Sequence, residues 1–147
     1  MILALLITLA TVSYTLFDFF ASKASGQIDP NASAIIFNGL GALIPLAILA
    51  LVRLGGSNTL PTTREGMINS VLAGISIAFF SILLIKIFEK GGLAYVIPLI
   101  YGGSIILTSL LGWLLLKEKV SSFQLTGILV IALGIGMVVA AKSHTGS

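Results

Sequence analysis

The sequence predicts an all-α membrane protein of five spans, and three observations carry that prediction. The chain has 147 residues, of which 57% are hydrophobic and 9% charged, with a mean hydropathy of +1.14. A soluble domain of this size could not bury so much apolar surface without large exposed patches. Uncharged runs cover 2–17, 30–52, 66–85, 91–116 and 120–141, and all but the first reach the about 20 residues that cross a bilayer core. The charged residues gather at the seams between these runs, and only Asp18 lies clearly inside one. The first run becomes long enough when it continues past Asp18 to Ala21.

Turn chemistry places the boundaries of each element in order. The first span runs over about 2–22, and Gly26 can end it. Its amino terminus has no positively charged lead, so it reads as a retained span and not as a cleaved signal. Asp29-Pro30 offers a cap followed by the proline that suits a first turn, opening a second span over 31–52. Arg53 and Gly55-Gly56 close it. Residues 55–63 are rich in turn formers. Thr62 and Glu65 have capping-box spacing and open a third span over 64–88. Gly91-Gly92 breaks the chain before a fourth span over 93–116, which Trp113 and Lys117-Glu118-Lys119 mark as leaving the membrane. Ser121 and Gln124 repeat the capping-box spacing and open a fifth span over 122–142. One transmembrane domain thus covers 1–142, with a disordered tail at 143–147.

The net charge of +3 is spread over loops, which suits lipid headgroups and not nucleic acid. No cysteine is present, which excludes disulfides and thiolate metal sites. His144 is the single histidine, and no glycine-rich loop with a following lysine could hold a nucleotide. No enzyme, cofactor or metal is expected.

Five spans put the two termini on opposite faces. Two such units fused head to tail would be oppositely oriented, as in inverted-repeat transporters, so one unit has the form of half of such a transporter. The orienting charges balance: Arg53, Arg64, Lys117 and Lys119 flank one face, and Lys23, Lys86, Lys90 and Lys142 the other. A tie leaves the positive-inside rule nothing to decide with. Insertion in both orientations with antiparallel pairing fits this, and so does a chance tie in a chain with few charges.

Small residues recur every four positions in the third span (Ser70, Gly74, Ala78), the fourth (Ser104, Thr108, Gly112) and the fifth (Ala132, Gly136, Ala140). Such rows let helix backbones approach. Packing within one bundle is the preferred reading, with a subunit interface as the alternative.

The first span carries Thr8, Thr11, Thr15, Asp18 and Ser22 on one face, with Tyr14 at its edge. A polar stripe ending in a carboxylate suits a hydrated pathway or a proton site. The alternative is hydroxyls bonded back to the helix and Asp18 paired with Lys23 near the headgroups. Asn38, Asn69, Ser76, Ser81, Tyr95 and Tyr101 are further polar residues within spans, and Tyr95 suits an interfacial anchor. Pro98 releases the carbonyl of Ala94 and is followed by Gly102-Gly103, an interruption of the kind found at midmembrane binding sites. The expectation is a cavity lined by Thr11, Thr15, Pro98, Gly102 and Gly103, with Tyr14, Asp18, Asn38 and Tyr101 contacting substrate.

Residues 92–141 then resemble the carboxy-terminal part of an EamA-type unit of the drug/metabolite transporter superfamily. Ala94, Pro98, Gly112, Leu116, Glu118, Gln124, Gly127 and Gly134 carry the likeness. The first span resembles that unit too, with Lys23 at its end and Pro30 beyond. Most members of that superfamily carry two five-helix units in inverted orientation. The resemblance therefore implies a dimer, either an antiparallel homodimer or a heterodimer with a similar five-span protein. It further implies proton-coupled transport, usually outward, of a small metabolite such as an amino acid, in a prokaryotic inner membrane. It gives Glu118 a structural, loop-ordering role. The small multidrug resistance proteins are related, but this chain has one more span and no glutamate near the middle of its first helix. Two other readings stay open: a flippase for lipid or lipid-linked sugar, and a non-transporting membrane subunit of a larger complex.

Overall fold

Helix ends fall where the chain can satisfy its terminal backbone groups. The computed structural model describes residues 2–56 and 62–145. Among these residues there are five helices and no strand: α1 (Ile2–Ala24), α2 (Pro30–Leu54), α3 (Arg64–Lys90), α4 (Leu93–Leu114) and α5 (Ser122–Thr145). Each is long and apolar enough to cross a bilayer. Asp29 caps α2, its Oδ1 accepting the amides of Asn31 at 2.9 Å and Ala32 at 3.1 Å, and Pro30 takes the first helical position. Ser121 and Gln124 form the expected reciprocal box, the Ser121 amide donating to Oε1 of Gln124 at 2.8 Å and the Gln124 amide to Oγ of Ser121 at 3.2 Å. Gly26 stands at φ 73° after α1 and Gly56 at φ 71° after α2, where a glycine costs least.

Three local expectations shift. The cap of α3 is Thr63 and not Thr62: Oγ1 of Thr63 accepts the amide of Gly66 at 3.1 Å. Glycine at that third position has no side chain to return the bond, so the box is half made. The helix α4 runs unbroken through Pro98, Gly102 and Gly103, since one missing amide near its first turns does not end it. The helix α5 continues to Thr145, so 143–145 of the expected disordered tail are helical, and 146–147 lie outside the described residues.

The chain divides into two compact units, Met1–Lys90 and Gly91–Ser147. In the first unit α3 packs against both α1 and α2. Its core gathers at one end, where Leu84 and Ile85 are fully buried among Ala21, Ala34 and Phe88. The loop after α1 is tied to α3 by Oγ of Ser25, which donates to the carbonyl of Ile85 at 3.0 Å. Away from that end, 2–16, 39–54 and 64–79 are exposed among the described residues. Apolar faces of that length suit contact with lipid or another helix.

In the second unit α4 and α5 pack together. Gly102 is buried, and a methyl group there would stand 2.6 Å from Cδ1 of Ile135 and 3.7 Å from Cγ2 of Ile131. The small residue therefore sits on α4 and the ridge that fills it on α5. This reverses the expected use of the small rows. Gly74, Gly127, Gly134 and Gly136 have no heavy atom within 4 Å of the place a side chain would start. Ser70, Ala78, Ala132 and Ala140 are exposed as well.

Candidate functional site

Three polar residues of the first unit occupy one layer. Counted at 1.5 Å per residue, Asp18 lies about 9 Å from the end of α1, Asn38 about 12 Å into α2, and Ser81 about 13 Å from the end of α3. These are the three helix ends that meet at the core. Asp18 is 4% exposed and Ser81 is 1% exposed. Asp18 shares its helix face with Ala21, three residues on, and both are buried, so this face turns to the core.

The hydrogen bonds of this layer run in a fixed direction. Nδ2 of Asn38 donates to the carbonyl of Ala34 at 2.8 Å and to Oγ of Ser81 at 3.0 Å. Oγ of Ser81 in turn donates to the carbonyl of Ile77 at 2.6 Å. A carbonyl can only accept, so the amide group of Asn38 has one possible orientation. Both of its donors are used, and no buried polar atom among the described residues lacks a partner. The half-buried Asn38 therefore holds α2 to α3 through its nitrogen and presents its Oδ1 as an acceptor.

Aromatic rings flank the layer. Phe17 meets Phe37 edge-on at 5.2 Å, and Tyr14 meets Phe17 at 5.7 Å. Lys23 places its ammonium 5.2 Å from the ring centroid of Phe19, within cation–π range. This ring belongs to the residue one turn back along α1. Between α1 and α2 an apolar cleft of about 250 Å³ is lined by Phe17, Phe20, Ala24, Ile28, Ser33 and Phe37 among others.

The other residues of the expected site are placed differently. Thr11 and Thr15 are exposed, and their hydroxyls donate to the carbonyls of Ile7 and Thr11, each at 2.8 Å. Thr8 does the same to Ala4 at 3.0 Å. The hydroxyl stripe thus spends its donors within α1. Tyr14 is partly exposed beside Phe17. In the second unit Tyr101 is half-buried, Pro98 is exposed and Gly103 half-buried, while Gly102 is occupied by Ile135 as described. Of the nine expected residues, Asp18 and Asn38 stand at similar depths counted from the helix ends of the first unit, where Asn38 is bonded to Ser81. Ser81 completes that layer and was visible in sequence only as one more serine in a span. Its pairing with Asn38 depends on the register of α2 against α3, which no local pattern encodes.

A buried carboxylate in a layer with a fixed acceptor and a buried hydroxyl can bind a proton or a hydrogen-bond donor. A sequence model of the EamA-like transporter family matches residues 1–140 and so takes in helices of both units. No curated protein and no solved structure matches the chain. With five membrane-crossing helices this is a multi-pass integral membrane protein, and the chain belongs to the EamA-like transporter family.

Proposed function

We propose that this transporter exports a small metabolite, an amino acid or a related compound, across a prokaryotic inner membrane, driven by protons and acting as an antiparallel dimer. The observation that carries the reading is the burial of Asp18 at 4% exposure. An ionisable side chain inside a span marks a substrate or proton pathway by default, because its burial is otherwise only a cost. Asn38 and Tyr14 are the proposed neighbouring substrate contacts in the first unit, and Tyr101 is the proposed contact in the second.

Pairing is supported by the balanced flanking charge and by the uncovered small residues Gly74, Gly127, Gly134 and Gly136. Such surfaces favour close helix contact over lipid contact. A heterodimer with a similar five-span protein would use the same surfaces.

The test is efflux from proteoliposomes loaded with mixed radiolabelled amino acids, with and without an inward proton gradient. Asp18→Asn keeps the side-chain size and removes the titratable charge. It is expected to abolish the proton dependence of efflux while the thermal midpoint and oligomeric state stay unchanged. Efflux that keeps its full proton dependence in the variant would return Asp18 to a structural role.

A second reading, lipid translocation, is favoured by the apolar cleft that opens between α1 and α2. It is separated by following a fluorescent phospholipid across the same vesicles. Under the metabolite reading its transbilayer rate does not change on adding the protein.

A further inference from the structure

The cleft between α1 and α2 contains one polar group with an unspent hydrogen bond. Ser33 lines it and is 5% exposed. Its backbone amide donates to the carbonyl of Asp29 at 2.9 Å, but its hydroxyl makes no hydrogen bond with any described residue. This distinguishes it from Thr8, Thr11, Thr15, Ser70, Ser76 and Ser81, whose hydroxyls all donate to a backbone carbonyl four residues back. Among the described residues no fully enclosed side-chain nitrogen or oxygen lacks a partner, so the Ser33 oxygen keeps its remaining surface in the cleft that it lines.

The position of the cleft narrows what could fill it. Ile28, in the turn between the helices, lies at one end. Ser33 stands three residues into α2, about 4–5 Å below its start, and Phe37 about 10 Å below. The cleft therefore begins at the polar boundary of the bilayer and descends into hydrocarbon. Its one hydroxyl lies near the upper end, and phenylalanine rings line the rest. At about 30 Å³ for each water-sized group, 250 Å³ holds about eight methylenes.

Charge at the same end favours an anion. Lys23 ends α1 and Lys90 ends α3, and Lys86 is near enough to Asp29 to act on its carboxylate. These three cations stand against Asp29 and Glu89. Lysines at the membrane surface attract anionic headgroups.

We infer that the α1–α2 cleft is a binding site for one anionic phospholipid. An acyl chain lies along Phe17, Phe20 and Phe37, an ester carbonyl accepts the Ser33 hydroxyl, and the phosphate lies toward Lys23 and Lys86. The occupant is a lipid and not the transported compound, because the cleft is lined by aromatic and aliphatic side chains and offers a single hydrogen bond. The inference holds whichever compound crosses the membrane, since it asks only for stoichiometric binding.

The test uses the full chain, exchanged from native lipid into detergent and titrated with phosphatidylglycerol or phosphatidylcholine. Bound lipid is counted by native mass spectrometry. The expected result is one saturable phosphatidylglycerol per chain, bound at least threefold more tightly than phosphatidylcholine. Ser33→Ala removes the hydroxyl alone and is expected to weaken binding about three- to tenfold, the worth of one neutral hydrogen bond. Ala24→Phe fills the cleft and is expected to abolish the saturable site, with circular dichroism and the thermal midpoint confirming that the helices remain. No saturable lipid on the wild-type chain would overturn the inference. Undiminished binding in a folded Ala24→Phe or Ser33→Ala variant would overturn it too. Equal affinity for the two lipids would overturn the assignment of an anionic headgroup. Efflux measured in parallel separates this result from the transport reading, because Ser33 and Ala24 are not among the proposed substrate contacts.

Discussion

The carboxylate of Glu118 lies over Gly112. A methyl group at residue 112 would stand 2.7 Å from Oε2 of Glu118, and the Glu118 amide donates to the Gly112 carbonyl at 3.1 Å. Six residues separate the two, and between them Lys117 adopts φ 55°. The left-handed residue turns the chain back after α4, so that the Glu118 amide reaches the Gly112 carbonyl six positions earlier, with a lysine at a φ where glycine is usual. The pair explains in physical terms why the chain has a glycine and a glutamate at this spacing. The glycine clears the space that the glutamate covers, and the loop-ordering role that the family resemblance implies for Glu118 has a geometry here.

The left-handed lysine gives the first prediction. A non-glycine residue at positive φ carries a steric cost of about 1 kcal/mol. Lys117→Gly is therefore expected to raise the thermal midpoint in detergent by a stabilisation of that order. A lower midpoint would show that the lysine makes a compensating contact.

The second prediction contrasts two glycines of α4. At Gly112 the neighbour is the tip of a flexible side chain that can swing away, so Gly112→Ala should cost only about 0.5 kcal/mol. At Gly102 the neighbours are Cδ1 of Ile135 at 2.6 Å and Cγ1 at 2.7 Å, on a branched side chain with little freedom. Gly102→Ala should cost about 1–3 kcal/mol by overpacking. Combining it with Ile135→Ala should recover part of that loss, and a double-mutant cycle on thermal unfolding measures the coupling. Simple additivity would separate the two residues.

A third prediction concerns acid. Asp29 is held below its ordinary value of 3.8 first by the amide of Ala32, then by the amide and side chain of Asn31 and the charge of Lys86, against some desolvation. A carboxylate lowered on folding adds stability that is present above pH 3.8 and is lost as pH falls through its folded value. The wild-type midpoint should thus fall below about pH 4. Asp29→Asn keeps a capping oxygen and should remove that part of the acid dependence, whereas Asp29→Ala should lower the midpoint at every pH. An acid limb unchanged in Asp29→Asn would assign it to another carboxylate.

The fourth concerns orientation. Four lysines and arginines flank each face, so a topology reporter fused after Ser147 should be active in both compartments. Two lysines added near Asn58 should bias the population to one, since short loops carry the orienting signal. A wild-type reporter active in one compartment alone would rule out dual insertion.

How much of this was legible in the sequence follows from how local each feature is. Spans, caps and breaks depend on runs and on residues three or four apart, and the Asp29–Pro30 cap and the Ser121–Gln124 box fell where their spacing put them. The Thr63 cap lay one residue from its expected place because adjacent threonines offer the same oxygen. Asp18 stood out because a charge inside an apolar run is rare. Asn38 was singled out with it, but Ser81 was not, since its bond to Asn38 spans 43 residues. The small rows misled for a related reason. A glycine shows where a backbone can approach but not which helix arrives, and Ile131 and Ile135 look like any lipid-facing isoleucines until α5 is laid against Gly102.

The bond between Ser25 and Ile85 spans 60 residues of chain, and this sets an order of events during synthesis. When α1 and α2 have left the ribosome, the Ile85 carbonyl that accepts from Ser25 and the Ser81 hydroxyl that accepts from Asn38 have not yet been made. The two helices must wait in the bilayer until residues 81–88 follow. A nascent chain arrested before Ser81 should therefore be more open to proteases and to membrane chaperones than one arrested after Lys90. The completed third helix acts as the latch that ends the first unit's dependence on the insertion machinery.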